Sequence, residues 1–163
     1  MTGLLRLPAL VLIFAVLTGC AASHATAADE AAEPRPFSAS ADAMADVDAA
    51  LAAAEARGVN ALLVLGGNWC HDSRGFAAKA QEEPLKSLIA DHYELVWVDV
   101  GMRNRNLDVA ERFGVMEITN TPTVLIVSPD ETLLNPESVR ELRNSHSRSL
   151  ESVVSYLERW AAE

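Results

Sequence analysis

Ala61-Leu62-Leu63-Val64-Leu65 runs directly into Gly66-Gly67-Asn68-Trp69-Cys70-His71-Asp72-Ser73. The first five residues are apolar without alternation, which reads as a strand buried on both faces in the middle of a sheet. The glycines then make a turn. From about Arg74 to Ala90 the residues suit a helix, which Pro84 should kink or break. A cysteine in such a strand-to-helix turn lies among first-turn N–H groups that lack intrahelical partners, at the positive end of the helix dipole. That setting favours the thiolate, the nucleophilic form of the side chain. The competing reading, a small buried hydrophobe, suits a glycine-rich turn less well.

Working outward, the remaining elements alternate. Ala43 to Arg57 follows helical spacing through Met44, Val47, Leu51 and Ala54, with Ser40 or Asp42 as cap and Gly58 as terminator. Glu94 to Val100 is a second strand, and strand–helix–strand in that order implies a right-handed parallel crossover. Leu107 to Phe113 is a short helix ended by Gly114, and Thr123 to Ser128 is a third strand closing at Pro129. Thr132 to Leu134 suits a short antiparallel edge. Ser149 to Ala161 is an amphipathic helix with Leu150, Val153, Val154, Leu157 and Trp160 on one face. Asn135 to Ser147 carries no clear pattern. The expected fold class is therefore α/β: a central mixed sheet of three parallel strands plus an antiparallel edge strand, flanked by helices.

The chain divides into residues 1–19, 20–40 and a domain over 41–163. Residues 1–19 read as a signal peptide, with Arg6 as the positive start and an apolar run from Leu7 to Leu17 that is short for a membrane span. Leu17-Thr18-Gly19-Cys20 resembles the bacterial lipobox, which implies cleavage before Cys20 and lipidation there. Such an anchor would be firm, and Ala21 after the cysteine suggests the outer membrane. The expected location is thus the bacterial cell envelope, facing the periplasm. Ordinary cleavage after Ala25-Thr26-Ala27 would instead leave a soluble periplasmic protein. Residues 20–40 hold mainly Ala, Ser, Thr, Glu and Pro and read as a flexible tether with little to pack.

The formal charge of the 163 residues is −10 and the one charge in residues 1–19 is Arg6, so the chain from Cys20 onward carries −11. This argues against nucleic-acid binding through bulk electrostatics. The two cysteines, Cys20 and Cys70, could pair in principle, but Cys20 sits in a processing site.

Trp69-Cys70-His71-Asp72-Ser73 resembles the thioredoxin active site, Trp-Cys-x-x-Cys, with serine in place of the second cysteine. Thr121-Pro122-Thr123 matches the place where thioredoxin-like folds keep a cis-proline facing the cysteine. The resemblance extends from about Ala43 to the C-terminus. It implies that Pro122 is cis, that Thr121 faces the cysteine, and that Trp69, Thr121 and Pro122 contact substrate. It also marks two departures. Ser73 cannot resolve a mixed disulfide as a second thiol does, although its hydroxyl can donate to the Cys70 thiolate. Val64 stands where thioredoxins carry a buried acid six residues before the cysteine.

His71, protonated beside Cys70, would stabilise the thiolate, and Asp72 would oppose it locally while suiting the helix start. Phe76 and Phe113 fit core positions. Cys70, His71 and Asp72 are adjacent, and His24, His92 and His146 have no ligand spacing to them, so structural zinc is not expected. Copper through Cys70 and a distant histidine is the remaining metal option. No nucleotide-binding glycine pattern or haem attachment motif is present, and no cofactor is expected.

The resulting expectation is an exported thiol-disulfide oxidoreductase or isomerase with one nucleophile, Cys70, assisted by Ser73 and His71. Its partners would be cysteine-containing envelope proteins or a low-molecular-weight thiol. The alternative is a non-catalytic binding or chaperone module on the same fold, in which Cys70 is dispensable. A thiol peroxidase cycling through sulfenic acid is a third reading, but the local motif does not suit it.

Overall fold

The computed structural model describes residues 33–161. The signal peptide, Cys20 with its expected lipidation, and residues 21–32 of the expected tether lie outside the described residues. Among the described residues, no helix is long and apolar enough to cross a membrane.

The elements run in order as α1 (Ala43–Arg57), β1 (Asn60–Gly66), α2 (His71–Lys79), α3 (Leu85–His92), β2 (Tyr93–Asp99), α4 (Leu107–Arg112), β3 (Thr123–Val127) and α5 (Leu150–Glu158). Helix α1 begins with Asp42, whose carboxylate accepts from the Ala45 N–H at 3.1 Å. It ends at Gly58, which adopts the left-handed conformation (φ 71°) that a side chain would resist. The helical run after Cys70 splits at Gln81–Pro84: Pro84 has no N–H to continue α2 and instead opens α3.

The sheet has three strands in the order β2-β1-β3. Strand β1 is central and every residue in it is buried. Leu63 and Leu65 face a cluster with Val47, Leu51, Val98, Val109 and Phe113. Leu62 and Val64 face the other cluster, with Phe76, Leu85, Ile89, Val153 and Leu157. The period-2 alternation of side chains thus feeds two cores from one strand, which is why its sequence shows no polar alternation.

The expected strand arrangement needs correction. Strands β1 and β2 are parallel, but β3 is antiparallel to β1, so there is one parallel pair rather than three parallel strands. The register shows the cause: Asp99 ends β2 opposite Gly66, and Thr123 begins β3 opposite Leu65. Both lie at the same end of the sheet, so the chain re-enters where it left. The one helix between them, α4, is about 9 Å long, far less than the roughly 23 Å of a seven-residue strand.

The expected antiparallel edge strand is also absent as a strand. One isolated bridge, Val127 to Leu133, stands in its place. The outer edge of β3 is satisfied by other groups. The Asn135 side chain accepts from the Ile126 N–H (2.9 Å) and donates to the Val124 carbonyl (2.9 Å). The Leu134 N–H donates to Ile126 and the Val124 N–H to Val139. Pro136 follows at once and has no N–H with which to extend a ladder.

The unpatterned segment 135–147 is packed against the sheet edge and against α2. Val139, Leu142 and Ser145 are buried. The His146 peptide is held at both ends by α2: its N–H donates to Asp72 Oδ1 (3.0 Å) and its carbonyl accepts from Lys79 Nζ (3.3 Å). Gly75 makes this approach possible, because a Cβ there would fall 2.6 Å from His146 Cα. Gly75→Ala gains about 1 kcal/mol of helix propensity but forces this contact apart at about 1–3 kcal/mol. A net loss of stability in urea unfolding is the expected result; a net gain of about 1 kcal/mol, the bare propensity effect, would show that the segment is not seated on Gly75.

The end of the expected tether packs as well. Phe37 is 3 % exposed and meets Trp97 edge-on at 5.3 Å. It is the one large apolar residue in the stretch 21–40, and burying such a ring stabilises by about 1.5–3 kcal/mol.

Candidate active site

Strand β1 delivers the chain to Gly66, and the turn Gly67–Trp69 brings Cys70 to the N-cap of α2. Gly67 is required here because the Trp69 indole lies against it: a Cβ would fall 2.5 Å from Nε1. Cys70 has extended backbone (φ −86°, ψ 120°) and stands at the N-cap of the helix without a capping hydrogen bond from its side chain. It is a free thiol, 9 % exposed.

Across from it, the loop before β3 presents Thr121 and Pro122, joined by a cis peptide as the resemblance implies. The loop is held by its own bonds: Thr123 Oγ1 donates to the Asn120 carbonyl (2.8 Å) and Arg103 donates to the Thr119 carbonyl (2.7 Å). Thr121 is buried, and its carbonyl accepts from the Cys70 thiol at 3.3 Å. Both halves of the motif therefore meet at the sulfur, although fifty-one positions apart in the chain.

Several forces act on the Cys70 proton. Burial raises its pKa and is the largest influence. The Thr121 side chain, the Ser73 N–H, the Ser73 hydroxyl and the Asp72 N–H all favour the thiolate. The Thr121 carbonyl favours the thiol, since it accepts the proton. The donors prevail, and the thiol lies below its ordinary range.

Ser73 is the most telling neighbour. It is fully buried, and among the described residues no group meets its hydroxyl in full hydrogen-bond geometry, although the hydroxyl is near enough to Cys70 to favour the thiolate. Such a group costs about 1–3 kcal/mol. A charged sulfur gives it an acceptor. The space it occupies exists because Gly66 has no side chain: a Cβ there would fall 2.6 Å from Ser73 Oγ.

His71 is largely exposed. Its ring lies 3.3 Å from Asp72 Oδ2 and stands edge-on to His146 at 5.4 Å. The contacts it makes thus run to Asp72 and His146. Asp72 holds both partners at once, His71 through Oδ2 and the His146 N–H through Oδ1.

Trp69 is 47 % exposed, and its Nε1 donates to the Gly101 carbonyl at 2.7 Å. The next residue, Met102, is 68 % exposed, and Met116 is 75 % exposed. Met102 belongs both to a groove of about 350 Å³ beside Trp69 and to one of about 420 Å³ that it shares with Met116 and Ile118. Exposed apolar side chains therefore lie near the site, in grooves whose walls also carry Asn68, Asp99, Arg103, Arg105 and Glu117. Phe76 and Phe113 are buried in the core, as expected, and Val64 is fully buried among apolar side chains. Among the described residues, no three His, Cys, Asp or Glu side chains gather as metal ligands.

Sequence reading missed three neighbours of the site. Asn68 and Phe37 hold each other through two hydrogen bonds, and His146 comes from the segment without pattern. Phe37 had a signal, its isolation as a large apolar group in an otherwise small and polar stretch. His146 had none.

A family model described as thioredoxin-like matches residues 42–129. Among solved structures, a disulphide isomerase from Xylella fastidiosa Temecula1 is 31 % identical, with 77 % of this chain and 96 % of that chain covered and a TM-score of 0.72. A protein of unknown function from Pseudomonas aeruginosa is 19 % identical over 74 % of this chain and 87 % of its own, with a TM-score of 0.39. No curated protein matches the chain.

Proposed function

The chain belongs to the thioredoxin-like family, and we propose that it is a thiol-disulfide oxidoreductase or isomerase working through Cys70 alone. The observation that carries this reading is the pairing of Cys70 with Ser73: a buried hydroxyl without a geometric partner among the described residues, beside a thiol whose pKa is lowered. The likeness to a disulphide isomerase supports the reaction class.

The Cys70 thiolate attacks one sulfur of a substrate disulfide. The substrate S–S bond breaks, a Cys70–substrate disulfide forms, and the other substrate sulfur leaves as a thiolate. Ser73 has no sulfur to attack this adduct. In isomerisation a substrate thiolate attacks, forming a new substrate disulfide and returning the Cys70 thiolate with no net oxidation. In reduction two external thiols are consumed: one displaces the substrate from Cys70, and a second frees Cys70 from that thiol. The external thiol is a low-molecular-weight thiol or a cysteine of an envelope protein.

Trp69, Thr121 and Pro122 contact the substrate chain beside the sulfur. Export, lipidation at Cys20 and anchoring at the outer membrane, or release as a soluble periplasmic protein, belong to the same proposal and rest on the sequence of residues 1–27. His71 tuning the Cys70 thiolate belongs to it too. The second reading, a binding module, draws on the exposed Trp69, Met102 and Met116. That surface could hold an apolar peptide without any thiol chemistry.

The test is the rate of Cys70 alkylation against pH in the full-length protein, followed by mass spectrometry of the Cys70 peptide. A lowered pKa means that the rate rises through a midpoint below the free-thiol value of about 8.5. A midpoint at or above that value would sink the redox reading and favour the binding module. The sign for stability is the same. A group ionised more easily in the fold stabilises above its unfolded pKa, and loses that contribution as pH falls through the folded value.

A further inference from the structure

Residues 33–37 form a strap across the active-site turn. The Phe37 N–H donates to Asn68 Oδ1 (3.2 Å), and Asn68 Nδ2 donates to the Phe37 carbonyl (2.7 Å). This double bond pattern is what one strand offers another, supplied here by a side chain. Arg35 and Arg74 both donate to the Asn68 carbonyl (3.2 and 2.9 Å), and Arg74 also binds Glu33 at 2.6 Å. The strap is therefore fixed to the residue two before the nucleophile.

The ring that this strap carries ends beside Ser73. A Cβ on Gly66 would fall 2.6 Å from Ser73 Oγ and 2.8 Å from Phe37 Cζ. Hydroxyl and ring edge thus converge over the bare Cα of Gly66. Ser73 is fully buried, Phe37 is 3 % exposed, and among the described residues the hydroxyl has no geometric hydrogen-bond partner. A buried hydroxyl of this kind is ordinarily satisfied by protein or by an ordered water.

We propose that Phe37, held by Asn68, is a positioning residue of the site: its ring keeps water from the Ser73 hydroxyl, so that the Cys70 sulfur is the acceptor left to it. A hydroxyl already bonded to water gains little by turning to sulfur. A dry one gains a full bond when the sulfur becomes charged. The strap outside the expected domain boundary is thereby part of the thiolate's support. The inference rests on the reading that Ser73 donates to the Cys70 thiolate.

The experiment is the pH profile of Cys70 alkylation by iodoacetamide in the full-length protein. The charged and titratable groups around the site are His71, Asp72 and Arg74 on α2, Glu33 and Arg35 on the strap, Asp99 at the end of β2, Arg103 and Arg105 in the loop after it, and His146. They are kept in every variant. Ser73→Ala is expected to raise the midpoint, and Phe37→Ala to raise it by at least half as much. The double variant should match Ser73→Ala alone, because a seal has no purpose without the hydroxyl. Phe37→Leu, which still fills the space, should restore most of the parent profile.

If Phe37→Ala fails to fold by near-UV circular dichroism, Asn68→Ala takes its place, since it frees the strap without hollowing the core. It should shift the midpoint upward. An unchanged midpoint in the folded strap variant overturns the proposal. So does a lowered one, which would mean that the ring only kept water from sulfur. Additive shifts in the double variant overturn it too. If Ser73→Ala itself leaves the midpoint in place, the Ser73 role under the proposed function fails first, and the two failures are thereby told apart.

Discussion

Cys70→Ala is expected to reduce disulfide exchange to the background rate of the buffer thiol, with the fold intact. The reaction needs a sulfur nucleophile, and Cys70 is the free cysteine among the described residues. Neither the Ser73 hydroxyl nor His71 can form a mixed disulfide. The structural cost is small. Alanine loses one hydrogen bond to the Thr121 carbonyl and the volume of one sulfur, together about 1–2 kcal/mol. The measurement is refolding of a scrambled multi-disulfide protein in a glutathione buffer, beside a thermal melt of the variant. Full activity in a folded Cys70→Ala protein would transfer the function to the exposed surface of Trp69, Met102 and Met116 and leave the thiol without a role. Loss of exchange with retained suppression of aggregation would show both properties on one face.

Ser73→Cys carries the second large effect and acts on the other half of the cycle. In the proposed single-thiol cycle of the parent protein, a mixed disulfide on Cys70 waits for a thiol from outside. Residues three apart at a helix start lie about 5–6 Å apart at Cβ, and a disulfide needs about 3.5–4.5 Å. A modest adjustment of the first turn closes that gap. The new thiol would attack the Cys70 sulfur, free the substrate thiolate and leave an internal disulfide. Because the attack is intramolecular, decay of the mixed disulfide should accelerate at least ~100-fold over millimolar glutathione. Gel mobility under non-reducing conditions would follow the adduct.

Two features moderate this gain. The larger sulfur presses on Gly66 and Phe37, where Ser73 Oγ already fits closely, at about 1 kcal/mol or more. Val64 also offers no buried acid to take the proton of the attacking thiol. An adduct as persistent as in the parent would show that the first turn does not bring positions 70 and 73 together, and would weaken the assignment of Ser73 as the lost resolving position.

Much of the molecule is readable in one dimension. The bounds of α1, the buried character of β1, the break at Pro84 and the amphipathic α5 follow from spacing and from Gly and Pro, because each depends on neighbours within a few residues. The direction of β3 does not: it depends on which end of the sheet the chain occupies when it returns. The edge beyond β3 shows the same limit. Thr132-Leu133-Leu134 has strand composition, yet the Asn135 side chain satisfies the edge, a pairing visible only once β3 and residue 135 stand side by side.

The site divides in the same way. The sequence by itself singled out the cysteine, the serine in place of a second thiol and the facing proline, since Cys70, Ser73, Thr121 and Pro122 are marks of residue type at fixed spacing. Only the tertiary structure decided what surrounds the sulfur. Burial of Ser73, the strap of Glu33 to Phe37 over Gly66, and the seating of His146 on Gly75 join residues far apart in the chain. The physical reason is that reactivity names an atom, whereas its pKa is set by desolvation and by the donors within reach. Those are properties of the space around the atom, which the order of residues specifies only through the fold.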